Sequence, residues 1–292
     1  MTQAIVPRRS VLYMPGSNAR ALEKAKTLAA DALILDLEDA VAPAEKPAAR
    51  QQVCRVVAEG GYGSREVAIR INSLDSAWGQ DDLAAVVRTP VAAIVLPKVE
   101  AVETIQRVAA AIPPHSPMAI WAMVETPRGV QEVENIACAH ERLRVLVMGT
   151  SDLAKELRIA QTSDRLGLVY ALSRCVLAAR AAGVDVIDGV QLDLDNEAAL
   201  RRVCEQGRAL GFDGKSLIHP LQIAIANEVF TPSPDAVQYA REVIRAWEDA
   251  RLQGSGVAVL DGKLVENLHA EEAGRIVKMA ELIAARSGTL SG

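Results

Sequence analysis

The chain has 292 residues, a formal net charge of −5, 50% hydrophobic residues and only 3% aromatics. That charge balance excludes a basic footprint for nucleic acid or an anionic membrane surface. The longest apolar runs are strand-sized, well short of the roughly 20 residues of a spanning helix.

With so few aromatics, Val, Ile, Leu and Ala must fill the core, which suits buried parallel strands under Ala-rich helices. In chain order, a strand at 10–13 runs into Pro15-Gly16-Ser17, and a helical pattern follows at 19–30. A second strand, 32–36, ends in Asp36-Leu37-Glu38-Asp39. The third, 66–71, ends in Arg70-Ile71-Asn72 before a helix at 81–87. The fourth, 92–96, meets Pro97-Lys98-Val99-Glu100 and a helix at 102–111. The fifth, 118–123, leads to Glu125-Thr126-Pro127-Arg128 and a helix at 129–137. A sixth at 144–148 ends in Gly149-Thr150-Ser151-Asp152. The seventh, 184–187, ends in Asp188-Gly189 before a helix at 197–210. The eighth, 212–215, carries Lys215 and precedes His219-Pro220. Eight strand–helix units in roughly 220 residues predict a (β/α)₈ barrel. An open doubly wound sheet is the alternative, but GxGxxG does not follow the first strand.

The tail reads differently. Thr231-Pro232-Ser233-Pro234 is a breaker cluster, followed by a helix at 235–252 and the interruption Gly254-Ser255-Gly256. A strand at 257–260, a turn at Asp261-Gly262 and a helix at 270–285 complete it. A catalytic barrel over 1–230 and an extension over 231–292, serving as lid, oligomerisation arm or both, are expected. Residues 1–9 lack the apolar centre of a secretory signal, so a cytoplasmic location is expected. Cys54, Cys138, Cys175 and Cys204 form no CxxC pair and read as reduced small hydrophobes.

In such barrels the C-terminal strand ends carry the chemistry, and the polar residues gather there. Carboxylates without a His or Cys cluster favour a hard cation, Mg²⁺ or Mn²⁺. Glu125 and Asp152 follow adjacent strands and can meet on one ion; the plainer reading makes them helix-start and N-cap carboxylates. Backbone N–H groups near 149–152 can hold a substrate carboxylate at a helix start. Arg70, closing an apolar strand, either pairs with Glu38 or Asp39 or clamps an oxyanion. Lys98 and Lys215 are Schiff-base or ion-pair candidates, and His219 is more simply a hydrogen-bonding residue than a ligand.

Several segments, in order, resemble the HpcH/HpaI aldolase/citrate lyase beta chain family, which includes malyl-CoA and citramalyl-CoA lyases. They are the run from Arg9 to Ser17, that from Leu33 to Pro43, Val95-Leu96-Pro97-Lys98-Val99-Glu100, Glu125-Thr126-Pro127-Arg128-Gly129, the run from Gly211 to Pro220, and Phe230-Thr231-Pro232-Ser233-Pro234. The resemblance implies a TIM barrel with a C-terminal extension, assembled as a homotrimer or a dimer of trimers. It implies Mg²⁺ on Glu125 and Asp152, with Mn²⁺ as the alternative. It implies an oxyanion contact from Arg70 and carboxylates near the metal water from Glu38 and Asp39. The backbone of Thr150, Ser151 and Asp152 would bind the keto-acid carboxylate. Lys46 would meet coenzyme A phosphates, with Arg20 and Lys24 as weaker candidates. The segment Leu260-Asp261-Gly262-Lys263 resembles one that closes over a neighbouring subunit's site, making Asp261 an acid/base in trans.

The implied reaction is metal-dependent carbon–carbon cleavage of (S)-citramalyl-CoA or L-malyl-CoA to acetyl-CoA and pyruvate or glyoxylate. The alternatives are a malyl-CoA thioesterase, a citrate lyase beta chain acting on a carrier-bound citryl thioester, a CoA-free aldolase, and a non-catalytic barrel.

Overall fold

The computed structural model describes residues 5–160 and 162–290, with side chains as far as residue 286. The strands are β1 (Ser10–Pro15), β2 (Ala32–Asp36), β3 (Glu66–Arg70), β4 (Ala93–Leu96), β5 (Ala119–Val124), β6 (Leu143–Met148), β7 (Asp185–Asp188) and β8 (Gly214–Leu217). They close in sequence order into one barrel, and every neighbouring pair, β8 with β1 included, is parallel. The helices are α1 (Ala19–Ala25), α2 (Lys46–Glu59), α3 (Gly79–Val86), α4 (Val102–Ala111), α5 (Pro127–Ala137), α6 (Thr150–Leu157), α7 (Val169–Ala182), α8 (Glu197–Leu210) and α9 (Ile223–Phe230). This is a (β/α)₈ TIM barrel.

The period of two along each strand sorts the core into two layers. Val11, Ile34, Ala68, Val95, Trp121, Val147 and Ile187 fill the barrel interior. Their neighbours in sequence, such as Leu12, Leu33, Leu35, Ile69, Ile94 and Leu146, face outward under the helices. The same parity decides which polar residues at the strand ends point inward.

Two barrel elements differ from expectation; beyond the barrel the last helix spans Asn267–Leu290 against the expected 270–285, and the strand Lys263–Val265 was not expected. The first helix stops at Ala25 instead of 30. Thr27 takes the Lys24 carbonyl with both its N–H (3.0 Å) and its hydroxyl (2.9 Å), which turns the chain out of the helix. The last barrel strand begins at Gly214, because Phe212 is used to close α8 and Asp213 bonds with its carboxylate and N–H to Val186 of β7. Phe212 N–H donates to the Gly207 carbonyl, and the Asp213 carboxylate accepts from Val186 N–H.

The floor of the barrel is closed by Arg8. Its guanidinium pairs with Glu66 at 2.6 and 2.8 Å, also meets Asp185, and lies 5.4 Å from the Trp121 ring centroid. The four cysteines are free, and Cys175 and Cys204 are buried as small hydrophobes.

Contact density divides the chain into Arg8–Phe230 and a second unit that begins at Thr231. The second unit holds α10 (Pro234–Leu252), β9 (Ala258–Leu260), β10 (Lys263–Val265) and α11 (Asn267–Leu290). Ala240, Val243, Val265 and Ala273 form its small core. Its hairpin turns on Asp261 and Gly262, both at positive φ (50° and 73°), the conformation that makes Asp-Gly a hairpin signal. No described helix is long and apolar enough to cross a membrane.

Trp121 is fully buried in the barrel lumen. Trp121→Ala is expected to cost about 3–5 kcal/mol through the cavity it leaves, read as a lower midpoint in chemical denaturation with little change in the steepness of the transition.

Candidate active site

The parity of β2 and β3 brings Asp36 and Arg70 together as register partners, in phase with the inward Ile34 and Ala68. Arg70 donates from Nε and Nη2 to the two oxygens of Asp36, both at 2.7 Å. Its Nη1 lies 2.8 Å from Glu38 and 3.6 Å from Asp39, and the Tyr13 ring sits 4.9 Å from the guanidinium carbon. Burial lowers the arginine's pKa, but attraction and hydrogen bonding from Asp36 outweigh it, so the group stays charged well above its usual range. Sequence reasoning expected Glu38 or Asp39 as the partner. It missed Asp36, whose sign was its inward parity beside a buried arginine.

Around this pair stand carboxylates with little to neutralise them. Burial pushes Glu38 up to about 7, against the pull of Arg70 and with the help of Asp39 and Asp36. The Arg70 contact to Glu38 Oε2 is an ion pair off the hydrogen-bond line, so that buried oxygen accepts no hydrogen bond. Burial likewise pushes Glu125 up to about 7, with Glu38 and Asp152 adding to the shift. Glu125 is 1% exposed and accepts from Lys98 N–H at 2.8 Å. Gly149 makes room for it: a Cβ there would stand 2.3 Å from Glu125 Oε2.

The N-cap reading of Asp152 fails on geometry, and Glu125 precedes the cap of α5 without serving as it. Thr126, not Glu125, caps α5 by accepting from Gly129 N–H at 3.0 Å. Asp152 lies in the first turn of α6, whose N-cap is Gly149 without a side-chain bond. Among the described residues no group of three or more His, Cys, Asp or Glu forms a metal cage. Two carboxylates with an unsatisfied third nearby suit a hard cation that keeps several waters. Glu125 and Asp152 are the residues that would hold it, with Glu38 behind them.

The lysines sort out differently from expectation. Lys46 was expected to meet coenzyme A phosphates. Instead it is buried, and its ammonium donates to the Leu37 carbonyl (3.0 Å), the Glu38 carbonyl (2.7 Å) and Asn72 Oδ1 (2.6 Å). All three protons are used, so it braces the 37–38 loop and is not available to a phosphate. Lys215, 1% exposed, pairs with Asp188 at 3.0 Å and donates to the Gly189 carbonyl, which fits the ion-pair reading. Asp188 also takes Arg165 at 2.7 and 2.8 Å, a partnership the sequence did not suggest. His219 caps a short turn by accepting from Leu221 N–H at 3.2 Å. Arg20 and Lys24 are exposed on α1, and Asp261 is exposed at its hairpin turn. Lys98 has a left-handed φ of 48°, which costs a non-glycine residue about 1–2 kcal/mol.

Beside the head of α6 a cavity of about 370 Å³ opens, lined by Thr150, Ser151, Ile159, Arg165, Asn196 and Arg202 among others. It is large enough for a small polar acid and gives direct access to the start of α6.

A barrel whose strand ends converge a locked arginine, near-neutral carboxylates and a helix start is the frame of an enzyme that manages negative charge on a bound acid. A model of the HpcH/HpaI aldolase/citrate lyase family matches residues 9–220, and the chain belongs to that family. It is 50% identical over 279 residues (96% of each chain) to a (3S)-malyl-CoA thioesterase of Cereibacter sphaeroides. It is 36% identical over 284 residues (94% of each) to the citrate lyase subunit beta of Escherichia coli. Among solved structures it resembles the protein CitE of Mycobacterium tuberculosis in complex with magnesium, acetoacetate and coenzyme A. That match has a TM-score of 0.77 and 30% identity, covering 95% of this chain and 99% of that one.

The raised carboxylates have a consequence for stability. The folded state holds protons on Glu38 and Glu125 up to about pH 7, above the ordinary 4.5. Their contribution is therefore full below the unfolded value and lost as pH rises through 7. Without divalent metal, the melting temperature is expected to fall from pH 6 to pH 8, and a flat profile would contradict the raised values. Gly149→Ala is expected to lower kcat/KM by about 100-fold or more through displacement of Glu125, measured in steady-state kinetics beside a melt that checks folding.

Proposed function

We propose that this chain is a divalent-metal-dependent enzyme acting on a short 3-hydroxyacyl-CoA of the (3S)-malyl type, and that it hydrolyses the thioester. The observation that carries the substrate class is the set of Arg70, Glu38, Glu125 and Asp152 on one barrel rim. Identity of 50% to (3S)-malyl-CoA thioesterases supports hydrolysis as the outcome. The second reading is the carbon–carbon cleavage expected from the sequence. Its support is the permanently charged Arg70, which suits a thioester enolate oxygen as well as a tetrahedral oxyanion.

When bound at Glu125 and Asp152, Mg²⁺ (or Mn²⁺) would supply Lewis-acid polarisation of substrate oxygens. The chain's own groups do the rest. The free N–H groups at the start of α6, from Thr150 to Asp152, receive the substrate's carboxylate. Arg70, its orientation fixed by Asp36, faces negative charge as it develops on the thioester oxygen. Glu38, titrating near neutrality, accepts a proton at physiological pH. For hydrolysis that proton comes from water attacking the thioester carbon, and the products are malate and free coenzyme A. For cleavage it comes from the 3-hydroxyl, and the products are an oxo acid and acetyl-CoA. Asp39 adds to the local negative charge. Asp261 supplies a further acid/base group across copies in a homotrimer or dimer of trimers, a role supported by its place at the exposed tip of a two-residue hairpin with both turn residues at positive φ.

The test is incubation with malyl-CoA, citramalyl-CoA and citryl-CoA, with Mg²⁺ and with EDTA, following free thiol and released oxo acid separately. Metal-dependent thiol without oxo acid is the result expected. Oxo acid without free thiol would transfer the conclusion to the lyase, and neither product from any ester would overturn the substrate class. Arg70→Lys is expected to reduce kcat by roughly 10²–10³ with KM little changed, because the fork that grips Asp36 and the oxyanion together is lost. Asp261→Asn mixed with Arg70→Lys is expected to regain activity if the aspartate acts across copies, and two inactive variants that stay inactive would place its role elsewhere.

A further inference from the structure

Among the cations at the barrel mouth, Arg70 is locked to Asp36 and Lys46 is buried with all three protons used. Lys98 is neither. Its side chain is 45% exposed, and its ammonium has one ion pair, a loose 3.8 Å contact with Glu38 Oε1. Burial lowers its affinity for a proton and is the largest single influence on it. Glu38, Glu125, Asp39 and Asp152 together more than reverse that, so the charge sits in the field of the whole cluster. The backbone is equally pointed. At φ 48° the residue adopts a conformation that glycine takes freely, and its N–H donates to Glu125 at 2.8 Å. The amide needs no side chain to do that. A lysine standing where glycine would be unstrained indicates that its side chain has a task of its own.

Resting on the metal-dependent reading above, we propose that Lys98 is a tethered cation that shares the carboxylate cluster with the divalent ion in exchange, and that becomes the substrate-contacting cation once the ion is bound. A loose ion pair to Glu38 is weak enough to be given up when a second positive charge enters the cluster. The flexible stem then carries the ammonium to the nearest negative charge on the bound acid. The contact is electrostatic, and no proton changes owner.

Lys98→Gly in the full-length protein separates the two parts of the residue, because it keeps the amide on Glu125 and removes both strain and charge. Calorimetric titration with Mg²⁺ alone at pH 8 is expected to show about tenfold tighter binding than wild type, since a competing positive charge is gone. With Mg²⁺ saturating, malate is expected to bind about tenfold more weakly, with Lys98→Arg restoring most of the loss. Unchanged or weaker Mg²⁺ binding in Lys98→Gly overturns the exchange, and unchanged malate affinity overturns the substrate contact. These titrations follow binding only. A wild type that binds Mg²⁺ yet turns over no hydroxyacyl-CoA would refute the functional reading without touching them.

Discussion

The bidentate pair between Asp36 and Arg70 is the contact on which the rest of the site depends. It joins the ends of β2 and β3, uses two donor groups of the guanidinium, and leaves the third edge toward Glu38. A buried arginine without such a partner would be costly, and a buried aspartate without one would take up a proton. Together they make a net-neutral unit that holds the third edge of the guanidinium fixed at the barrel mouth. Fixity matters because a donor that need not reorganise as charge develops contributes most to lowering a barrier.

Beyond that pair the rim carries more negative charge than the described side chains neutralise. Glu38 and Glu125 respond by holding protons to about pH 7, and Glu38 keeps an oxygen that accepts no hydrogen bond. Native proteins seldom leave such groups buried without a compensating function. The divalent ion proposed for Glu125 and Asp152 would be the economical remedy, and Gly149 leaves Glu125 the room it occupies.

The barrel was readable because its strands are short, apolar and regularly spaced; all eight fall within two residues of their expected positions. The exceptions were helix ends, where local bonds decided: Thr27 stops α1, and Phe212 belongs to the closure of α8. The site was partly readable. Arg70, Glu38, Glu125 and Asp152 do converge on one rim, but the partner of Arg70 depends on inward parity at two strand ends, which a motif does not reveal. Lys46 misled because its neighbourhood in sequence says nothing of the Leu37 and Glu38 carbonyls and Asn72 that fold over it. The Asp188–Lys215–Arg165 cluster joins residues 23 and 27 positions apart, and no periodicity links them.

The unequal burial of the lysines makes this rim chemically selective. An acylating or reductively methylating reagent needs an accessible amine that can lose its proton. Lys46 and Lys215 lie inside the fold with their hydrogens held, whereas Lys98 stands half open. Metabolic acyl thioesters are themselves mild acyl donors; burial shields Lys46 and Lys215 from them, and at Lys98 open access is offset by the carboxylates that hold its proton in place.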